Sequence, residues 1–306
     1  MPRAGFDEGR SVDKLIITVA VDSSVSYPGN PNMPEHDDMK SVSRQYIDAV
    51  NAGASITHLH GVRYLDKEFG PDGRKSVRID FDGWQDLTER IRSEVDAVIQ
   101  YGIAVARLED KIKLMDFQPE MMSYAFAAQD MCFQPDPEYS PNEMYALHPR
   151  PELVEFAKAA KSKGVKPELE CFYTGPFWNA EHVRKEGVLD DPLWATLLIG
   201  WPGGTWTPPT PDALMYLVNH LPRPASWNLS VMDPVQQWRL VPLAIALGGH
   251  IRVGWEDNPY LPNGELSTSN AQLVENVVKM AECMGREIAS PDDARRIVGT
   301  SGVPAA

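Results

Sequence analysis

Eight short apolar runs recur along the chain, and a longer polar or amphipathic stretch follows each one. No other feature restricts the possible folds so strongly. Residues 15–21 (LIITVAV) are β-branched and nearly free of polar side chains, as a strand buried on both faces must be. Residues 55–60 (SITHLH), 98–105, 121–126, 167–172, 194–200, 227–231 and 250–255 repeat the pattern. Helical stretches are predicted between most of them, among them 38–51, 151–163, 212–219 and 235–247. Strands alternating with helices in one unbroken series of eight predict an α/β fold, a (β/α)8 TIM barrel, in preference to an open doubly wound sheet. The 306 residues contain no low-complexity linker and suit a single catalytic domain spanning residues 1–306. One polar, Gly- and Pro-containing insertion, from Tyr64 to about residue 82, directly follows the second strand. Barrels place their active sites on that side, so it is expected to be a substrate lid or a plain surface loop.

Charge and cysteine content narrow the function. A formal net charge of −14 repels phosphate backbones and anionic lipid, which argues against nucleic-acid and membrane partners. Cys132, Cys171 and Cys283 are sparse, odd in number and unpaired in spacing, as in a reducing cytosol. With no long apolar run and no apolar leader in MPRAGFDEGR, the expectation is a soluble cytoplasmic protein acting on a small molecule.

Two motifs carry chemistry. In His58-Leu59-His60, residues two apart on a strand face one side, so both imidazoles enter the same space at a strand's C-terminal end. That supplies two of the three protein ligands of an open catalytic zinc site, although the same spacing also serves structural histidines. The second motif is GGHIRVGWEDN, residues 248–258, where a charged cluster abruptly ends an apolar strand. Glu256 completes a His2Glu set, Asp257 offers a carboxylate for proton transfer, and Arg252 offers a cation for an acid substrate. The alternative for this cluster is an ion-paired strand end that caps the next loop. His148 and His250 are read as structural histidines, His250 with a supporting role near the site still open.

The stretches LIITVAV (15–21), AGASITHLH (52–60), GVKPELECF (164–172), GGHIRVGWEDNPY (248–260) and 269–297 together resemble the β-keto acid cleavage enzymes, in order and over nearly the whole chain. The resemblance implies a TIM barrel that forms a homo-oligomer, a tetramer by analogy. It implies one Zn2+ per chain on His58, His60 and Glu256. It further implies a Claisen-type exchange in which a β-keto acid and acetyl-CoA, as co-substrate, give acetoacetate and a new acyl-CoA. Asp257 is then the catalytic base, Arg252 acts beside it, and Glu170 is the strand-five glutamate, with Glu168 on the same face. Ser123 matches a family threonine on strand four. Ser123, Ser24, Gly102 and Trp255 are the expected substrate-binding residues.

Three departures accompany the resemblance. Asp22-Ser23-Ser24 follows the first strand where members that take an ammonium-bearing substrate have a glutamate. Gly102 stands where a serine hydroxyl is usual, and the loop after the seventh strand lacks the usual glycine and arginine. Trp178, Trp201 and Trp206, with Phe177 and Tyr173, are expected near the barrel mouth. These features predict a neutral or anionic, bulky class of β-keto substrate, aromatic members included. They also leave two other readings: a zinc-dependent retro-aldol or hydrolytic carbon–carbon lyase without CoA, and a ligand-binding barrel that has lost catalysis.

Overall fold

A computed structural model describes residues 13–24, 26–27, 29–61, 63–69, 75–103, 106–133 and 142–300. The eight apolar runs form eight parallel strands: β1 (Ile17–Ala20), β2 (Ile56–Leu59), β3 (Val98–Tyr101), β4 (Met121–Ala125), β5 (Lys166–Cys171), β6 (Leu193–Ile199), β7 (Ala225–Val231) and β8 (His250–Val253). Each pairs with its sequence neighbours, and β8 closes on β1 through Ile17 opposite Ile251 and Thr18 opposite Arg252. The barrel is closed, as the alternating pattern requires.

Around it pack α1 (Met39–Asn51), α2 (Phe81–Glu94), α3 (Leu108–Leu114), α4 (Arg150–Ser162), α5 (Gly175–Lys185), α6 (Pro211–His220), α7 (Gln236–Ala246) and α8 (Asn270–Cys283). Their starts are legible locally. Asp38 caps α1 by accepting from the Ser41 amide at 3.1 Å, and Asp80 caps α2 through Gly83, also at 3.1 Å. Outward residues of the strands (Val19, Leu59, Tyr101, Leu169, Leu197, Leu229) meet the apolar faces of these helices in one large core.

The amino-terminal end of the barrel is closed separately. Ile16, Ile56, Val98, Met121 and Trp194 point inward there and pack on Ala294, Ile297 and Val298 of α9 (Pro291–Val298). His250 belongs to this floor. Its ring lies 5.4 Å from that of Trp194, and its Nδ1 accepts from the Ile16 amide at 3.0 Å. Burial, with the Arg286 charge, pushes its pKa down to about 3, so it stays neutral. The structural reading of His250 holds, and so does that of His148, which bonds Glu152 on α4 at 3.1 Å.

Two antiparallel ribbons interrupt the barrel pattern. The expected insertion is a ribbon of Arg63–Phe69 with Lys75–Ile79, followed at once by α2, while 70–74 lie outside the described residues. A second ribbon, Gln129–Phe133 with Asn142–Ala146, follows β4 and was not expected. Both rise from the carboxyl ends of the barrel strands. No helix among the described residues is long and apolar enough to cross a membrane.

Candidate active site

Above the floor, the barrel interior turns polar where such barrels are usually filled by Val, Ile and Leu. His58, Gln100, Ser123, Glu168, Thr196 and Arg252 alternate with outward apolar residues on their strands, and all six are buried. Bonds among several of them, and to the backbone, offset the cost of burying so many polar groups. His58 Nδ1 meets Gln100 Oε1 at 2.9 Å, Ser123 donates to the Tyr101 carbonyl at 3.1 Å, and Thr196 donates to Glu168.

At the carboxyl end, Gly254 lets the chain turn back across the mouth. Its φ is +148°, and a Cβ there would lie 1.9 Å from the Ala20 carbonyl oxygen, so only glycine fits. The turn that follows is held by the Glu256 amide on Ala20 O at 3.2 Å and the Asp257 amide on Gly254 O at 3.1 Å. Trp255 anchors it from behind: the indole is buried in the core and donates to Ser267 Oγ at 2.8 Å. The turn thereby directs Glu256 and Asp257 onto Arg252. The guanidinium grips Asp257 with two hydrogen bonds of 2.9 Å and reaches Glu256 Oε1 at 2.7 Å.

The other Glu256 oxygen points at both histidines. Oε2 is 2.9 Å from His60 Nε2 and 3.9 Å from His58 Nε2, yet it accepts no well-aligned hydrogen bond although buried. The reason lies on the far side of each ring. His60 Nδ1 bonds the Gly102 carbonyl and His58 Nδ1 bonds Gln100, which places the ring protons there and leaves lone pairs on both Nε2 atoms. Arg252 Nη1, 3.4 Å from His58 Nε2, also marks that nitrogen as an acceptor. Two imidazole lone pairs and a carboxylate oxygen within 4.8 Å of one another, with no proton between them, are what a cation needs. Ligands on a tetrahedral ion with bonds of about 2.0 Å stand roughly 3.3 Å apart, within the observed spread. The Nδ1 partners are the outer bonds that orient metal-binding histidines. The residues fit a divalent metal with a coordination position left open.

Electrostatics separates the carboxylates. Burial works against the Glu256 carboxylate, but the Arg252 guanidinium holds it ionised, well below the usual range. Burial outweighs Arg252 at Asp257, and Glu256 adds to it, pushing that carboxyl up to about 6. Burial and the charge of Glu168 raise Glu170 to about 8, so it is a neutral acid at neutrality. Arg252 keeps its charge because Asp257, Glu256 and Glu168 overcome the cost of burial. One site thus holds a carboxylate poised near neutrality and a protonated acid, the combination general acid–base chemistry requires.

The expected substrate residues divide. Ser123 faces the interior beside Gly102, and Glu170 lies one step nearer the mouth than Glu168, which sits against His58 at 4.0 Å. Gly102 has another task than the one expected. A Cβ there would lie 2.3 Å from His58 Cε1 and 2.9 Å from Ser123 Oγ, so its missing side chain makes room for a histidine, and its carbonyl orients the other. Trp255 is a buried anchor and does not line the mouth. Ser24 is exposed, in a turn where its amide donates to Asp22 at 2.9 Å. Trp178 and Trp206 are 70% and 52% exposed, while Trp201 is buried against Phe172. Gln100, Thr196 and the Gly102 carbonyl escaped the sequence reading; inward polar residues at alternate positions of apolar strands were the available signal.

A closed parallel barrel with His58, His60, Arg252, Glu256 and Asp257 gathered at its carboxyl mouth defines the chain as a (β/α)8 protein with an enzyme-type site. The chain belongs to the β-keto acid cleavage enzyme family, which it matches over residues 14–300. It is 31% identical to the 3-keto-5-aminohexanoate cleavage enzyme of Acetoanaerobium sticklandii, over 95% of this chain and all of the relative. It is also 31% identical to the 3-dehydrocarnitine:acetyl-CoA trimethylamine transferase of Rhizobium meliloti, over 84% of this chain and 87% of the relative. The 3-oxoadipate:acetyl-CoA acetyltransferase of Cupriavidus necator is 27% identical over 93% of this chain and 94% of its own length. Among solved structures, ObcA in a ternary complex with a C4-CoA adduct and oxalate superposes with a TM-score of 0.63 at 18% identity, covering 88% of this chain and 68% of that one. At that identity the likeness concerns the fold.

Proposed function

We propose that this protein cleaves a β-keto acid by exchanging its acyl group with acetyl-CoA, with a zinc ion held by His58, His60 and Glu256. The observation that carries the reading is the buried Glu256 oxygen facing two imidazole lone pairs, next to an Arg252–Asp257 ion pair. A cation bound there would polarise the keto carbonyl and stabilise the negative charge that builds on it.

The chain's own groups account for the proton. Asp257 has lone pairs beyond those used by Arg252, and it accepts a proton from C2 of the keto acid. C2 then bonds to the acetyl carbonyl carbon and the CoA thiolate leaves. That thiolate adds to the original keto carbonyl carbon, and the bond from this carbon to C2 breaks. C2 recovers its proton from Asp257, giving acetoacetate and the new acyl-CoA. Arg252 fixes Asp257 in place and offers positive charge to the substrate carboxylate, while neutral Glu170 is a hydrogen-bond donor near the mouth.

Acetyl-CoA in the names of three relatives favours exchange over cleavage without CoA. The substrate is read as neutral or anionic. Asp22, the one carboxylate in the turn after β1, is tied to the Ser24 amide and is not set out to meet an ammonium group. The test is incubation with a panel of aliphatic, dicarboxylic and ammonium-bearing β-keto acids plus carboxyl- and methyl-13C acetyl-CoA. Exchange places both labels in acetoacetate and builds an unlabelled acyl-CoA. Acid release without acyl-CoA would establish the hydrolytic reading, and preference for the ammonium members would overturn the reading of Asp22.

A further inference from the structure

Large apolar side chains on the outer surface are few, and they gather. Among the described residues seven stay exposed, and four of these, Tyr145, Leu147, Trp178 and Trp206, lie on segments joined to one another beyond β4, β5 and β6. Tyr145 stands opposite Asp130 in the second ribbon. Asp130 accepts from the Gly204 amide at 3.0 Å and from the Thr205 hydroxyl at 2.9 Å, which brings the loop of Trp206 against that ribbon. Arg150, three residues after Leu147, donates to the Asn179 side chain at 3.2 Å and so ties the start of α4 to the turn of α5 that carries Trp178.

Single exposed apolar residues are ordinary, but a joined group of this size marks a contact surface. Trp178 is 70% exposed, Leu147 63%, Trp206 52% and Tyr145 40%. At roughly 150–250 Å2 per aromatic side chain, the three rings alone leave about 250–400 Å2 uncovered. That approaches half of the roughly 800 Å2 that one partner buries in a standard interface, as the apolar centre of such an interface should.

Charge decides what docks there. Residues 145–220 carry seven basic and nine acidic side chains, and two of the acids, Glu168 and Glu170, are inside the barrel. The outer surface of this sector is therefore neutral on a chain of net charge −14. Two copies of so acidic a chain repel one another, and least of all across this sector. A neutral aromatic surface is complementary to itself, as an isologous two-fold contact requires, and offers little to a strongly charged partner.

We propose that Tyr145, Leu147, Trp178 and Trp206 form the centre of a two-fold contact with a second copy of this chain. The contact is argued from the surface alone and does not rest on the reaction proposed above. It lies across the barrel from β8 and β2, whose ends carry His58, His60 and Glu256.

Sedimentation of the full chain over a concentration series tests it. Wild type is expected to sediment as a dimer or a multiple of one. Trp178→Glu and Leu147→Glu are each expected to weaken association about thirtyfold or more, as the loss of a central interface residue does, and to halve the mass at concentrations where wild type stays associated. Met284→Glu, at an exposed apolar position just past the end of α8, is expected to leave association unchanged. A monomeric wild type overturns the proposal and points to a different protein on this surface. An association that neither variant weakens, or that Met284→Glu weakens equally, overturns it as well. Where a variant fails to fold, hydrogen exchange of wild type at low and high concentration decides. Slower exchange on association in residues 142–147 and 175–182 upholds the contact, and unchanged exchange there refutes it.

Discussion

Restoring the hydroxyl that the family pattern has at position 102 should damage this protein. A Cβ at Gly102 would sit 2.3 Å from His58 Cε1 and 2.5 Å from Nε2. Carbon atoms in contact prefer about 3.5 Å, so the imidazole must retreat by roughly 1.2 Å. It has little room, because Gln100 holds its Nδ1 at 2.9 Å and Arg252 stands 3.4 Å from Nε2. Overpacking of this kind typically costs 1–3 kcal/mol, about the stability lost here. Displacing a ligand by about 1 Å costs roughly 10²-fold in a positioned reaction, and misorienting a metal-bound histidine costs about 10–100-fold in affinity. Gly102→Ala and Gly102→Ser should therefore both lose metal affinity and turnover by about two orders of magnitude, the serine faring no better than the alanine. Metal competition against a chromophoric chelator and single-substrate kinetics would measure the two losses. A Gly102→Ser protein that binds metal normally, or gains activity, would show that the His58 ring does not pack against Gly102.

The His58→Ala/His60→Ala double variant should lose its metal and activity while keeping native circular dichroism, against about one divalent ion per chain in wild type; full metal retention would sink the ligand assignment. Asp257→Asn should lower turnover by about 10²–10⁴ with metal still bound, and normal turnover would reduce Asp257 to an ion-pair partner. His250 provides a pH prediction whose sign follows from its depressed folded-state pKa of about 3, against 6.5 unfolded. The unfolded chain takes the proton first, so stability is lost as pH falls below 6.5, by about 2 kcal/mol at pH 5. His250→Asn can still accept from the Ile16 amide but does not titrate. Urea denaturation at pH 7 and 5 should show it losing less, and equal losses would refute the assignment.

The barrel was legible because its evidence is periodic. Each strand is an apolar run, and the eight observed strands fall on the eight runs within a few residues. The two ribbons were not legible, since short antiparallel pairs of mixed polarity have no pattern that separates them from loops. The site was half visible. Period two put His58 and His60 on one face, and the clustered charges of residues 252–257 demanded an explanation. The role of Gly102 was hidden because it depends on what lies across the barrel: β2 carries His58 into the volume that a side chain on β3 would take. Trp255 misled for the complementary reason. It stands beside Glu256 in sequence, and the turn at Gly254 sends the two side chains to opposite sides of the strand end.

The polar interior carries a structural consequence of its own. A barrel that fills its middle layer with aliphatic side chains gains stability there, but this one spends that layer on His58, Gln100, Glu168, Thr196 and Arg252. Its stability must therefore come from elsewhere, and two apolar masses supply it: the continuous core between strands and helices, and the floor sealed by α9. This separation lets the site keep carboxylates at raised pKa and a buried arginine without relying on them to hold the fold. It also explains why acid and base groups lie above the floor, toward the mouth. Below them the floor packs Ile16, Ile56, Val98, Met121 and Trp194 around neutral His250, where an unpaired charge would be costly. The position of the chemistry along the barrel axis thus follows from where the fold can afford polarity as much as from where a substrate enters.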